Sequence, residues 1–145
     1  MSEIVEETEK HIHYEKRFKT NSFKIKNQVD AISHATCGMS IDINAKAIVV
    51  SSVSGMTVRM VSRFRAPMDI VGMTVNKKVW YKLALSWGVT PVLSEEFNST
   101  DVLFYHARNA AKSVLNLEKG DNVVMTGGMT NGSSGNTNII KVETI

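Results

Sequence analysis

The chain has 145 residues and a mass of 16.0 kDa, with 43% hydrophobic and 21% charged residues. That suits one soluble globular domain and excludes a two-lobed phosphotransferase or dehydrogenase. The net charge of +3 is spread out, with Glu15 beside the densest cluster (Lys16, Arg17, Lys19), so no nucleic-acid partner is expected, and no apolar run reaches the roughly 18–20 residues of a membrane span.

The acidic start, Met1 to Glu7, has the wrong sign for a secretory leader, and the single Cys37 allows no disulfide within the chain; both favour a cytoplasmic setting. Residues Met1 to Lys19 predict one helix, acidic at its start and basic at its end, with a thin stripe of Val5, Thr8 and Ile12. Thr20-Asn21-Ser22 breaks the pattern and offers caps, which divides the chain into a helical arm, residues 1–19, and a domain, residues 20–145. From Ile25 the positions Val29, Ile32, Thr36, Met39 and Ile43 predict a long amphipathic helix ending at Asn44-Ala45.

Ala47 to Ser51 reads as a buried strand, followed by a turn into a helix with Thr57, Val61 and Phe64 on one side. Ala66-Pro67 stops it, and Asp69 to Met73 is a second buried strand. Asn76 caps a third helix with Val79, Leu83 and Trp87 in register, and Gly88 suits a left-handed end. Val89 to Leu93 is a strand; Asn98 to Asp101 cap a helix with an inner face of Leu103, Ala107, Ala110, Val114 and Leu117, closed by Gly120. Asn122 to Thr126 and Asn138 to Glu143 are the last strands. Strands alternating with helices predict an α/β fold, a three-layer αβα sandwich on a mainly parallel five-stranded sheet, with the last strand antiparallel because no helix precedes it.

Ligands of such sheets bind beyond the carboxyl ends of the strands. Ser51-Ser52-Val53-Ser54-Gly55-Met56-Thr57 leaves one such end and opens a helix, whose free amides and partial positive charge favour a phosphate. Ser52, Ser54 and Thr57 bring hydroxyl donors, and Gly55 permits close approach of backbone. The same residues also suit a plain helix cap. The long connection through Thr130, Asn131, Gly132, Ser133, Ser134, Gly135 and Thr137 leaves the same edge, and loops of that length are commonly functional. The four histidines and Cys37 show no metal-ligand spacing. Cys37 reads as a small buried hydrophobe, Glu95-Glu96 as a solvated pair, and the eight methionines as core filler.

The order Ser-x-Ser-Gly-x-Thr, then Ser62-Arg63-Phe64-Arg65-Ala66-Pro67, Trp87-Gly88-Val89-Thr90-Pro91, Lys119-Gly120-Asp121 and Ser134-Gly135-Asn136-Thr137-Asn138 resembles the C-terminal regulatory domain of pyruvate kinase. The resemblance runs from about Lys26 to Ile145, and Met1 to Phe18, ending in Tyr14-Glu15-Lys16-Arg17-Phe18, looks like the last helix of the family's catalytic barrel and the link out of it. It implies an effector site, with Ser52, Ser54, Gly55 and Thr57 holding a phosphate and the loop from Thr130 to Thr137 closing over a sugar phosphate or nucleotide monophosphate.

It also implies a homo-oligomer and a barrel domain as partner. Catalysis with Mg2+ and often K+ would belong to that barrel, leaving no cofactor and no phosphate transfer to this chain alone. Members activated by fructose 1,6-bisphosphate commonly carry a lysine where Val53 stands and a cation where Leu103 aligns, so the resemblance favours a monophosphate effector, or no effector, over a bisphosphate. Arg59, Arg63 and Lys112 remain as cations for the cavity. The alternatives are a purely structural, oligomerising domain and a free-standing phosphometabolite-binding protein.

Overall fold

The structure is a computed structural model and describes residues 1–128 and 137–145. Its arm is two helices rather than one, α1 (Ser2–Lys10) and α2 (Tyr14–Thr20), broken at His11-Ile12-His13. Nothing in α1 is buried, so no packing opposes the break, whereas the new direction of α2 buries Phe18 to 8% exposure. Phe18 meets Phe23, His34 and Phe64 in one aromatic cluster.

Helix α3 (Gln28–Asp42) starts later than expected. Its cap is Asn27, whose side chain accepts from the Asp30 N–H at 2.9 Å. The inner face is also not the apolar stripe that periodicity selects: Ser33, Thr36, Cys37, Ser40 and Ile41 are buried, while Met39 is 37% exposed. The buried hydroxyls of Thr36 and Ser40 donate back to the carbonyls of Ile32 and Thr36 at 2.7 Å each, so they bury without an outside partner. Small side chains then allow α3 to lie close to its neighbour α4 (Met56–Arg63), and Cys37 Sγ donates to the Val61 carbonyl at 3.8 Å.

The strands are β1 (Ala47–Ser51), β2 (Asp69–Thr74), β3 (Val89–Leu93), β4 (Asn122–Gly128) and β5 (Thr137–Thr144), in the order β3-β2-β1-β4-β5. Only the β4–β5 pair is antiparallel, as the missing crossover helix requires. The sheet carries α3, α4 and α5 (Lys77–Leu83) on one face and α6 (Thr100–Leu115) on the other. Ile48, Val50 and Ile70 meet the first group; Val49, Val71, Val123 and Met125 meet α6. Ile48, Val49 and Val50 of β1 are fully buried, and each contributes roughly 1.5–3 kcal/mol.

Asn76 caps α5 through two backbone N–H groups, and Gly88 is left-handed at φ +67. The helix itself stops at Leu83, which leaves Trp87 beyond it. In α6 the buried set is Leu103, Phe104, Ala107 and Ala111; Val114 is exposed because the larger Phe104 turns the helix about its axis. Asn116, left-handed at φ +51, ends α6, while Gly120 serves a later turn and donates to the terminal Ile145 carbonyl. Of the methionines, Met73 and Met125 are core residues, but Met1, Met39 and Met56 are exposed.

Candidate functional site

Ser51 ends β1 at the carboxyl edge of the sheet, and the chain turns back within four residues to enter α4. The turn is tied internally: the Gly55 N–H donates to Ser52 Oγ at 3.0 Å and the Met56 N–H to Ser54 Oγ at 3.4 Å. Neighbouring strand β2 pins its base, since the Ser52 N–H donates to the Met73 carbonyl and Thr74 Oγ1 donates to the Val53 carbonyl. Gly55, at φ +76, is the N-cap of α4 and supplies no side-chain cap. A Cβ there would stand 2.7 Å from Val79 and 3.2 Å from Leu83, so both the backbone angle and the space demand glycine.

Thr57 is 2% exposed, and its hydroxyl lies 2.7 Å from that of Thr137 across 80 positions of sequence. Thr137 is the first residue of β5 and is itself 5% exposed. Its carbonyl accepts from Gln28 Nε2 at 3.2 Å, which brings the start of α3 to the same place. The structure therefore joins Ser52, Ser54, Gly55, Thr57 and Thr137 at one edge. Thr130, Asn131, Gly132, Ser133, Ser134 and Gly135 lie outside the described residues.

Gln28 escaped the sequence reading, and no local signal marks it: it is an ordinary first residue of a helix whose partner is 109 positions away. Among the cations, Arg59 stands nearest along α4, its amide donating to the Gly55 carbonyl. Arg63 closes α4 about 10 Å along the axis from that helix's start, and Lys112 lies about 18 Å along α6 from its start, toward the opposite edge of the sheet. Leu103 is buried and stands 3.8 Å from where a Gly127 Cβ would be, so an apolar group fills the space beside β4. Cys37 takes no part: burial pushes its thiol up to about 12.

Residues 30–143 match the family model described as pyruvate kinase, alpha/beta domain. The chain belongs to this pyruvate kinase family. It is 37% identical over its whole length to the pyruvate kinase of Clostridium acetobutylicum, of which it spans 31%. The pyruvate kinase of Lactobacillus delbrueckii subsp. bulgaricus is 33% identical over 85% of this chain and 21% of the relative. That of Staphylococcus epidermidis is 33% identical over 81% and 20% respectively. The chain thus spans a third or less of these pyruvate kinases. Among the described residues, no helix is long and apolar enough to cross a membrane.

Proposed function

We propose that this chain is the regulatory α/β domain of a pyruvate kinase, that it binds a phosphorylated metabolite at the serine turn, and that it self-associates. Conversion of phosphoenolpyruvate and ADP to pyruvate and ATP would then belong to a barrel domain in the remainder of a longer chain. The Mg2+ and K+ of that chemistry would be held there too. Residues 1–19 would supply the last helix of that barrel and the link out of it.

The observation that carries the effector site is the Thr57–Thr137 hydroxyl contact. It ties the helix-opening turn to the strand that receives the loop of Thr130 to Gly135, so an anion on the α4 amides and a loop over the rest of the ligand share one anchor. With Val53 and Leu103 in place of cations, the cradle suits one phosphate rather than two. Ribose 5-phosphate, glucose 6-phosphate and AMP are the candidate classes.

Isothermal titration of the folded chain with these three and with fructose 1,6-bisphosphate tests the proposal. Heat with at least one monophosphate is expected. Absence of heat with all four, in protein whose circular dichroism shows it folded, overturns the effector site. Sedimentation as a monomer at all concentrations overturns self-association.

A further inference from the structure

The serine turn lies at one end of α4, and a second cluster of side chains lies at the other. Ser62 donates its hydroxyl to the Trp87 carbonyl at 2.7 Å. The Trp87 indole N–H donates to Glu9 Oε1 in α1 at 2.8 Å, across 78 positions of sequence. Tyr14 packs on the indole with centroids 4.9 Å apart, and the Arg65 guanidinium sits 4.8 Å from the ring centroid. Arg65 holds a left-handed backbone angle, φ +54, just past the end of α4. A non-glycine residue is rarely held there without surrounding contacts to fix it.

The turn reaches this cluster by two routes. Along α4 the distance is about 12 Å of rigid helix. Along α5, Gly55 packs against Val79 and Leu83, and the segment after Leu83 leads directly to Trp87. By contrast α1 has no buried residue, and Ile4 and Val5 are exposed. Among the described residues, Glu9 makes the side-chain hydrogen bond that ties α1 to the α/β domain.

We propose that the Glu9–Trp87 hydrogen bond is a latch that couples attachment of the α1 arm to the order of the serine turn. Release of Glu9 frees the indole and loosens the Trp87 carbonyl that anchors Ser62. Helix α4 then loses one of its carboxyl-terminal anchors, and its opposite end, the turn, loosens with it, because closely packed elements do not deform independently. The converse also holds: whatever fixes the turn holds the arm. Regulatory use of the latch rests on the effector reading above, but the coupling is testable with no ligand present.

Amide hydrogen exchange on the 145-residue chain is the measurement. Glu9→Ala removes the acceptor while slightly favouring helix, and Trp87→Phe removes the donor while keeping a ring. Each is expected to raise exchange about 3- to 10-fold in residues 2–10 and also at Gly55, Met56 and Arg59. Glu9→Gln keeps an acceptor oxygen and should leave both regions near the parent values. Amides of α6 from Phe104 to Ala111 report global opening and should not change. Calorimetry with ribose 5-phosphate is a separate reading, so loss of the effector site leaves the exchange result standing. A rise confined to residues 2–10, a rise shared equally by α6, or no rise in either variant overturns the latch.

Discussion

Replacement of Gly55 by alanine tests the close packing of the serine turn, because two costs meet at that residue and a control separates them. At φ +76 an alanine sits in the left-handed region, which costs about 1–2 kcal/mol. Its Cβ would stand 2.7 Å from Val79 Cγ1 and 3.2 Å from Leu83 Cδ2. Valine has little freedom at its first side-chain torsion, and Leu83 is 1% exposed, so neither swings aside freely; overpacking of this kind adds about 1–3 kcal/mol. Restriction of the unfolded chain returns about 0.4–1 kcal/mol. The net loss is about 1–4.5 kcal/mol, a fall in Tm of about 3–14 °C for a domain of this size. Gly88→Ala is the control. Its φ is +67 and nothing lies within 4 Å of a Cβ, so only the backbone cost applies, about 1 kcal/mol. Urea denaturation followed by circular dichroism gives both values, with an unchanged slope showing that the unfolded state is the same. Losses within about 0.5 kcal/mol of each other would refute the packing of Gly55 against α5.

Thr57→Val leaves the buried Thr137 hydroxyl without its partner and should cost about 1–3 kcal/mol, while Thr57→Val with Thr137→Val costs less than the sum of the single changes, as a double-mutant cycle would show. Cys37 should resist a thiol reagent in the native protein and react only on unfolding. Its linkage to pH follows from the raised thiol: the unfolded chain releases the proton near the ordinary value of 9.0, and the folded chain holds it to about 12. Between these values the unfolded state binds fewer protons, so stability is full below pH 9, falls as pH rises toward 12, and loses this slope in Cys37→Ala. Val53 is 45% exposed, so Val53→Lys should leave Tm unchanged and strengthen fructose 1,6-bisphosphate binding about 2- to 5-fold relative to a monophosphate, read by calorimetry. Leu103→Lys should instead destabilise, because Leu103 is 5% exposed and the new charge would be buried.

The strands were legible because a sheet covered on both faces writes continuous apolar runs, and Ala47 to Ser51 is such a run, buried through Val50. Helix faces were harder. Hydrophobic spacing places Val29, Ile32 and Met39 inside α3, yet the helix turns Ser33, Cys37 and Ser40 inward. Periodicity counts apolar side chains and treats serine as a surface residue. It is blind to a hydroxyl that bonds its own helix and to the close approach that small residues allow. In α6 the same rule passed over Phe104, whose apolar area outweighs that of Val114. The break at His11-Ile12-His13 carries no proline or glycine and is set by where Phe18 must go. At the site, the turn was legible because its residues are consecutive. Its partner Gln28 was not, since spatial contact between distant residues leaves no mark on local sequence.

The turn's own hydrogen bonds bear on which roles it can combine. Ser52 and Ser54 each accept from a backbone N–H of the turn. A hydroxyl carries two acceptor lone pairs and one donor, so this use leaves both O–H groups available to an incoming phosphate oxygen. Capping and anion binding therefore draw on different parts of the same side chains. It follows that Ser54→Ala lowers stability by up to about 1 kcal/mol in either case and does not by itself discriminate between them. The discriminating pair is Thr57 and Thr137, whose hydroxyls lie within hydrogen-bond distance of each other and stand at the junction of turn and strand. The contact stabilises the junction under either reading, and only a phosphate cradle also predicts loss of monophosphate heat in folded Thr57→Val.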